Sequence, residues 1–141
     1  MSAFVLDCSV TMSWCFADEA SPYGDLVLDS LQRDSAIVPS LWPLEVANVL
    51  LIAERRQRVT QVQTTQALSL LRALPIEVDL MTAEYAMADT LHLGRVHALS
   101  AYDAAYLELA IRLGLPIATT DGRLLLAADA CGVSQYLTPE G

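Results

Sequence analysis

Lysine is missing from this 141-residue chain: all eight basic residues are arginine, set against 17 acids, and the formal net charge is −9. So acidic a surface is a poor general binder of nucleic acid, because phosphate contacts need cationic side chains. Two routes around that objection exist: a local arginine patch, or metal ions that neutralise a cluster of carboxylates. Histidine is scarce, with only His92 and His97, so a histidine-based site has little to build on; both are expected at the surface or at helix ends. The three cysteines, Cys8, Cys15 and Cys131, are odd in number and lack C-x-x-C spacing, which argues against a zinc site or a catalytic thiol. They read as small buried thiols. No apolar run approaches about 18 residues, so no transmembrane helix and no membrane role are expected. The N-terminus lacks a basic region and Asp7 interrupts its short apolar run, so no signal peptide is expected and the cytoplasm is the expected location. Repeats, low-complexity tracts and linkers are also missing.

What is present is a hydrophobic fraction of 54% with only 18% charged residues. That balance predicts a single compact domain spanning residues 1–141, able to bury roughly 68–70% of its unfolded surface. Short apolar runs alternate with helical patterns. Residues 3–8 (AFVLDC), AIVPS, 76–80 (IEVDL), PIATT and 133–136 read as strands, which makes about five. Between them, helices are predicted over SVTMSWCFADE and from Ser21-Pro22 to Arg33. Further helices run from Ser40–Pro43 to Arg56, from Thr60 to Leu74-Pro75, over 82–93 closed by Gly94, over 100–113, and over 122–131. No Asn-Gly or Asp-Gly hairpin joins one strand to the next. The pattern calls for an α/β fold with a central parallel sheet flanked by helices in three layers.

Residues 99–121, LSAYDAAYLELAIRLGLPIATTD, are the most informative stretch. Ser100 is placed to cap the helix and Gly114 with Pro116 to end it. Glu108 and Arg112 form an i,i+4 pair expected on the wet side. Asp103 falls instead on the apolar face with Tyr106, Leu107 and Ala110. Asp121 follows the next strand directly, as Asp7 follows the first. Ligands of open parallel sheets bind outside the carboxyl ends of the strands. Glu45, in the opening turns of its helix, aligns with Val49 and Ile52, and Asn48 one turn on is placed to hold it by a hydrogen bond.

Each acid has an ordinary explanation: Ser100-x-x-Asp103 resembles a capping box, Glu45 suits a helix N-terminus, Asp121 can cap the last helix, and Asp7 can satisfy backbone N–H groups. Four carboxylates converging on one crevice are harder to explain that way. Two like charges about 4 Å apart cost roughly 4 kcal/mol at an effective dielectric of 20, tolerable only with protons or divalent cations between them. An oxygen-only donor set favours Mg²⁺ or Mn²⁺. Such ions activate a water nucleophile and stabilise the leaving oxygen of an in-line displacement, so the pattern points to metal-dependent phosphodiester hydrolysis.

The segments VLDCSV, PSLWPLEVANVLL, LSAYDAAYLELA and LPIATTDGRL, in this order and spacing, resemble the signature segments of PIN-domain ribonucleases, specifically VapC-type toxins of toxin–antitoxin pairs. The resemblance spans nearly the whole chain. It implies a PIN fold, an acidic quartet of Asp7, Glu45, Asp103 and Asp121 that binds metal and catalyses, and polar support from Ser9, Asn48 and Thr120. It further implies Mg²⁺- or Mn²⁺-dependent cleavage of RNA, a homodimer, and a cognate antitoxin whose tail fills the groove in a hetero-oligomer. Some relatives carry another acid just after the last aspartate, where this chain has Gly122, Arg123 and Leu124. Arg55, Arg56, Arg58 and Arg123 are the candidate phosphate contacts. Trp14, Trp42 and Tyr102 could stack on bases, although core packing is expected of each, and apolar positions to spare on helices 21–34 and 41–74 hint at an interface. A phosphate-accepting receiver domain is excluded by the missing lysine. A haloacid-dehalogenase-like phosphatase is excluded because Ser9 stands where a second aspartate is needed. Two other readings stay open: a regulatory module acting with its antitoxin on operator DNA, and a housekeeping nuclease outside any toxin pair.

Overall fold

The computed structural model describes residues 2–138, so the first residue of the expected domain and its last three lie outside the described residues. The chain opens with β1 (Ala3–Leu6) and turns at Asp7 into α1 (Cys8–Cys15). A 3₁₀ turn at Ala17–Glu19 leads to α2 (Pro22–Ser30), β2 (Ser35–Val38), α3 (Trp42–Arg55), α4 (Gln61–Ala73) and β3 (Ile76–Val78). The second half holds α5 (Thr82–Tyr85), a π-helical turn at Ala86–Thr90, α6 (Leu91–His97), α7 (Ala101–Leu113), β4 (Ile117–Ala118) and α8 (Gly122–Ala130). No helix among the described residues is long and apolar enough to cross a membrane.

The four strands form one parallel sheet in the order β3-β2-β1-β4. The chain therefore moves outward from β1 through β2 to β3, then returns to the other side of β1 for β4. That reversal opens a crevice between the carboxyl ends of β1 and β4, the place where open α/β sheets hold ligands. Register puts Val5 opposite both Ile37 and Ile117, and Leu6 opposite Ala118. Phe4, Val5 and Leu6 are fully buried, worth about 1.5–3 kcal/mol each. A strand with two buried faces reads as a continuous apolar run, as β1 does.

Local chemistry explains the helix limits. Ser21 Oγ accepts from the Gly24 N–H and Pro22 occupies the first turn of α2. A complete capping box joins Thr60 and Gln63 at the start of α4. Ser100 Oγ accepts from the Asp103 N–H (3.1 Å), and Gly114 ends α7 in the left-handed conformation (φ 66°) that glycine adopts without penalty.

Several expectations need correction. The first strand stops at Leu6, and Asp7 is already the N-cap of α1. Gly94 does not close its helix: the chain stays helical to His97, and the left-handed stop is Ala98 (φ 54°). A Cβ on Gly94 would lie 3.1 Å from the Leu99 carbonyl oxygen, so this glycine serves close packing. The fifth strand reduces to an isolated parallel bridge, Ile117 to Gln135, because β4 spans only two residues and gives it little to pair with.

The expected wet face of α7 is also wrong. Glu108 is buried, and Arg112 grips it through Nε (2.7 Å) and Nη2 (3.1 Å). The same guanidinium holds Asp79 through Nη1 (3.3 Å) and Nη2 (2.8 Å) and lies 4.5 Å above the Tyr85 ring. The i,i+4 pair is real, but α5 and the turn after it cover it.

Candidate functional site

Asp7 sits at the carboxyl end of β1, and its N–H donates to the Ala118 carbonyl of β4 (2.9 Å). Its side chain is buried, with Oδ2 accepting from Ser9 Oγ (2.7 Å) and Thr119 Oγ1 (2.7 Å). Burial pushes this carboxyl above the usual carboxylate range, and the two hydroxyl donors pull it back.

Thr119 also accepts from the Asp121 N–H (3.0 Å), so one hydroxyl ties two acids together. The family resemblance assigns this support to Thr120 instead. Thr120 is exposed, and it contributes a backbone N–H to Ser9 Oγ (3.1 Å). The signal for Thr119 lies in the two-residue alternation of an extended chain, which puts it on the side of Ile117.

Asp121 caps α8: its Oδ1 accepts from the N–H groups of Arg123 (2.9 Å) and Leu124 (3.2 Å). The ordinary capping role is therefore real, and it uses one carboxylate oxygen. Asp103 is half-buried in the first turn of α7. Burial raises its carboxyl, the charges of Asp7 and Asp121 push the same way, and Ser100 opposes them.

Glu45 enters from the first turn of α3. The buried face of that helix is Trp42, Val46, Leu50 and Ala53, so Glu45 lies at its flank, and Ile52 is exposed. Asn48 makes no hydrogen bond to it among the described residues. Tyr106 does, its Oη donating to Glu45 Oε1 (2.6 Å) from a fully buried position. Tyr106 is one helical turn after Asp103, so the spacing could have paired them. Burial raises the Glu45 carboxyl above its ordinary range. The Tyr106 hydroxyl lowers it, and the charges of Asp7 and Asp103 raise it further.

Glu45 thus feels the charges of Asp7 and Asp103, and Asp103 those of Asp7 and Asp121, across the strand-end crevice. None of these four acids forms an ion pair among the described residues, whereas Asp79 and Glu108 are neutralised by Arg112. No three acid, histidine or cysteine side chains among the described residues stand in a finished metal-binding arrangement. The chemistry of the set nevertheless fits a hard divalent cation: the donors are oxygens, several are desolvated, and their charge is uncompensated.

The arginines divide. Arg58 is engaged, with Nη2 on Asp18 Oδ1 (2.7 Å) and Glu19 Oε2 (2.8 Å) and its guanidinium 4.1 Å above the Phe16 ring. It fastens the end of α3 to the 3₁₀ turn and drops out of the phosphate candidates. Arg55, Arg56 and Arg123 are exposed. Trp42 is buried and donates to Thr11 Oγ1 (3.0 Å), and Trp14 donates to the Gly24 carbonyl (2.8 Å). Both pack as expected, but Tyr102 is 66% exposed. Cys8 is buried, while Cys15 and Cys131 are half-buried.

Comparison with known proteins agrees with this architecture. The family model described as PIN domain matches residues 4–130. Among solved structures, the chain is similar to that described as the crystal structure of PAE2754 from Pyrobaculum aerophilum. The TM-score is 0.65 at 22% sequence identity, covering 90% of this chain and 87% of that one. No curated protein matches.

Proposed function

The chain belongs to the PIN-domain family, and on that premise we propose that it is a Mg²⁺- or Mn²⁺-dependent endoribonuclease acting as the toxin of a VapC-type toxin–antitoxin pair. PIN domains are generally nucleases that use divalent ions. The observation that carries the reading is the uncompensated charge of Asp7, Glu45, Asp103 and Asp121 around the β1–β4 crevice.

These four residues would hold the ion. When bound, it supplies Lewis acidity toward the phosphoryl oxygens and a more acidic water. The protein's own contribution is preorganisation. Ser9 and Thr119 hold Asp7 Oδ2, Tyr106 holds Glu45 Oε1, and the α8 N-terminus holds Asp121 Oδ1. At Glu45 and Asp121 the second carboxylate oxygen is left without a hydrogen bond among the described residues. Thr119 links the Asp7 carboxylate to the Asp121 backbone, so one hydroxyl fixes their spacing. Arg55, Arg56 and Arg123 are the side chains that would meet flanking phosphates.

For partners, the reading includes a homodimer and a cognate antitoxin. An apolar groove of about 600 Å³ runs between α3 and α4, lined by Val46, Leu50, Leu68 and Leu71, and Leu44 and Val62 stand exposed on the same helices. Such surface suits an apolar partner segment or a second copy.

The test is RNA cleavage by protein freed of any antitoxin. Activity is expected only with Mg²⁺ or Mn²⁺, and Asp7→Asn or Asp103→Asn should abolish it while circular dichroism stays unchanged. Metal-independent cleavage, or full activity in both variants, overturns the mechanism. The toxin assignment is tested by the neighbouring reading frame. A small gene for a DNA-binding head with an apolar tail supports it, and its absence favours a housekeeping nuclease.

A further inference from the structure

Beside the carboxylates lies a hollow of about 530 Å³ lined by Leu44, Glu45, Ala47, Asn48, Leu51 and Tyr102. Glu45 belongs both to this hollow and to the acidic crevice, so the two are contiguous. Tyr102 enters from the first turn of α7, immediately before Asp103, and is 66% exposed; Leu44 is 74% exposed. With Leu51, 46% exposed, they form a contiguous apolar patch at the mouth of a polar site, the kind of surface that marks a binding groove. Asn48 is exposed and offers an amide able both to donate and to accept.

The lining limits what can sit there. Its one carboxylate is Glu45 and it has no basic side chain, so no cation in the hollow would receive a phosphate. Over the whole chain there is no lysine to do so either. A flat, uncharged ring with a hydrogen-bonding edge fits: a π-face for Tyr102, apolar contact with Leu44 and Leu51, and an edge for the Asn48 amide. Proteins that hold single strands use this combination, and stacking on an aromatic residue does not depend on cationic contacts.

We propose that this hollow is a nucleobase subsite for an unpaired nucleotide of the RNA substrate, with Tyr102 stacking on the base and Asn48 reading its edge. It seats the base next to the carboxylates, so that the neighbouring phosphodiester lies over them. The inference rests on the nuclease reading of the adjoining site. It also answers how a chain of net charge −9 holds RNA, since part of the affinity comes from stacking. Duplex RNA, whose bases are already stacked, is excluded from this subsite.

The experiment measures affinity for a labelled single-stranded oligoribonucleotide in the non-cleaving Asp7→Asn background with Mg²⁺; Asp103→Asn serves if the first background folds poorly. Tyr102→Ala should weaken binding about 5- to 150-fold, Tyr102→Phe should retain it, and the melting temperature should not move. An oligonucleotide with a single abasic nucleotide at the seated position should bind as weakly as the Tyr102→Ala pair, and Tyr102→Ala should cost it nothing more. Affinity unchanged in Tyr102→Ala, an equal loss for duplex RNA, or a loss of self-association with RNA affinity intact overturns the subsite; the last would mark a contact between copies. The two readings separate cleanly. Mg²⁺-dependent cleavage indifferent to Tyr102 removes the subsite alone, and Tyr102-dependent binding without cleavage by the wild type removes the nuclease reading while leaving a base-binding site.

Discussion

Arg112→Met is the perturbation for which the structure supplies the most arithmetic. Methionine keeps an unbranched apolar stem and removes the guanidinium with its charge. In the wild type one guanidinium serves two carboxylates, Glu108 (side chain 5% exposed) and Asp79 (14% exposed). Removing the cation strands both acids in a covered site. Breaking one partner out of a buried ion pair costs about 3–5 kcal/mol, mostly the penalty of an unpaired buried charge. At about 3 °C per kcal/mol for a domain this size, the melting temperature should fall by about 9–15 °C. Asp79 and Arg112 also give the pH dependence its sign. Arg112 holds the Asp79 carboxyl below its ordinary value. That stabilisation is present above the unfolded value, about 3.9, and is lost only as pH falls through the depressed folded value. In Arg112→Met the sign reverses: desolvated acids without a cation take up protons readily, so the variant gains stability as pH falls from about 7 toward about 5. Thermal unfolding followed by circular dichroism at both values should show the gap between the proteins narrowing on acidification. Arg112→Lys should fall between, since an ammonium cannot grip two carboxylates bidentately. Replacing Arg112, Glu108 and Asp79 together by apolar residues should recover most of the loss. A deficit below about 1 kcal/mol, the range of a solvated surface pair, refutes the reasoning, as does a gap that does not change with pH.

Three further outcomes are expected. Asp7→Asn should leave the protein at least as stable as the wild type at neutral pH while removing nuclease activity. The amide oxygen can still accept from Ser9 and Thr119, and a raised, buried charge is gone; a melting temperature lowered by several degrees would show that the Asp7 charge is structurally compensated. Thr119→Val should cost about 1–3 kcal/mol, because it removes the acceptor of the Asp121 N–H and a donor to Asp7. It should also reduce cleavage far more than Thr120→Val, and equal effects of the two would contradict the assignment. Millimolar Mg²⁺ or Mn²⁺ should raise the melting temperature of the wild type and a chelator should reverse it, through preferential binding to the folded state; the shift should shrink in Asp103→Asn, and its absence in the wild type counts against a metal site.

Local pattern was enough for the fold class and for the identity of most elements. An apolar run flanked by Gly, Pro and a cap says strand or helix whatever surrounds it, and Ser100, Thr60 and Gly114 act within a single turn of chain. The alternation of elements required a parallel sheet, and the spacing of the acids placed them at strand ends and in first helical turns. Where one residue decided an outcome through a distant neighbour, local pattern failed. Glu108 and Arg112 looked solvated because nothing in α7 shows that Asp79 and Tyr85 cover them. Arg58 looked available because its anchors, Asp18 and Glu19, lie 40 and 39 residues away. Gly94 looked like a stop because a close approach to the Leu99 carbonyl leaves no mark on hydrophobic periodicity.

The same division runs through the candidate site. Sequence by itself determined which acids are available, that no lysine or histidine set competes with them, and which family the chain resembles. Only the tertiary structure decided what touches what. The return of the chain to place β4 beside β1 brings Thr119 to Asp7 across 112 residues. The packing of α7 against the sheet brings Tyr106 to Glu45 across 61, and leaves Tyr102 facing water beside it. Hydrogen bonds and desolvation act over a few ångströms of space, and separation along the chain places almost no constraint on which groups come that close.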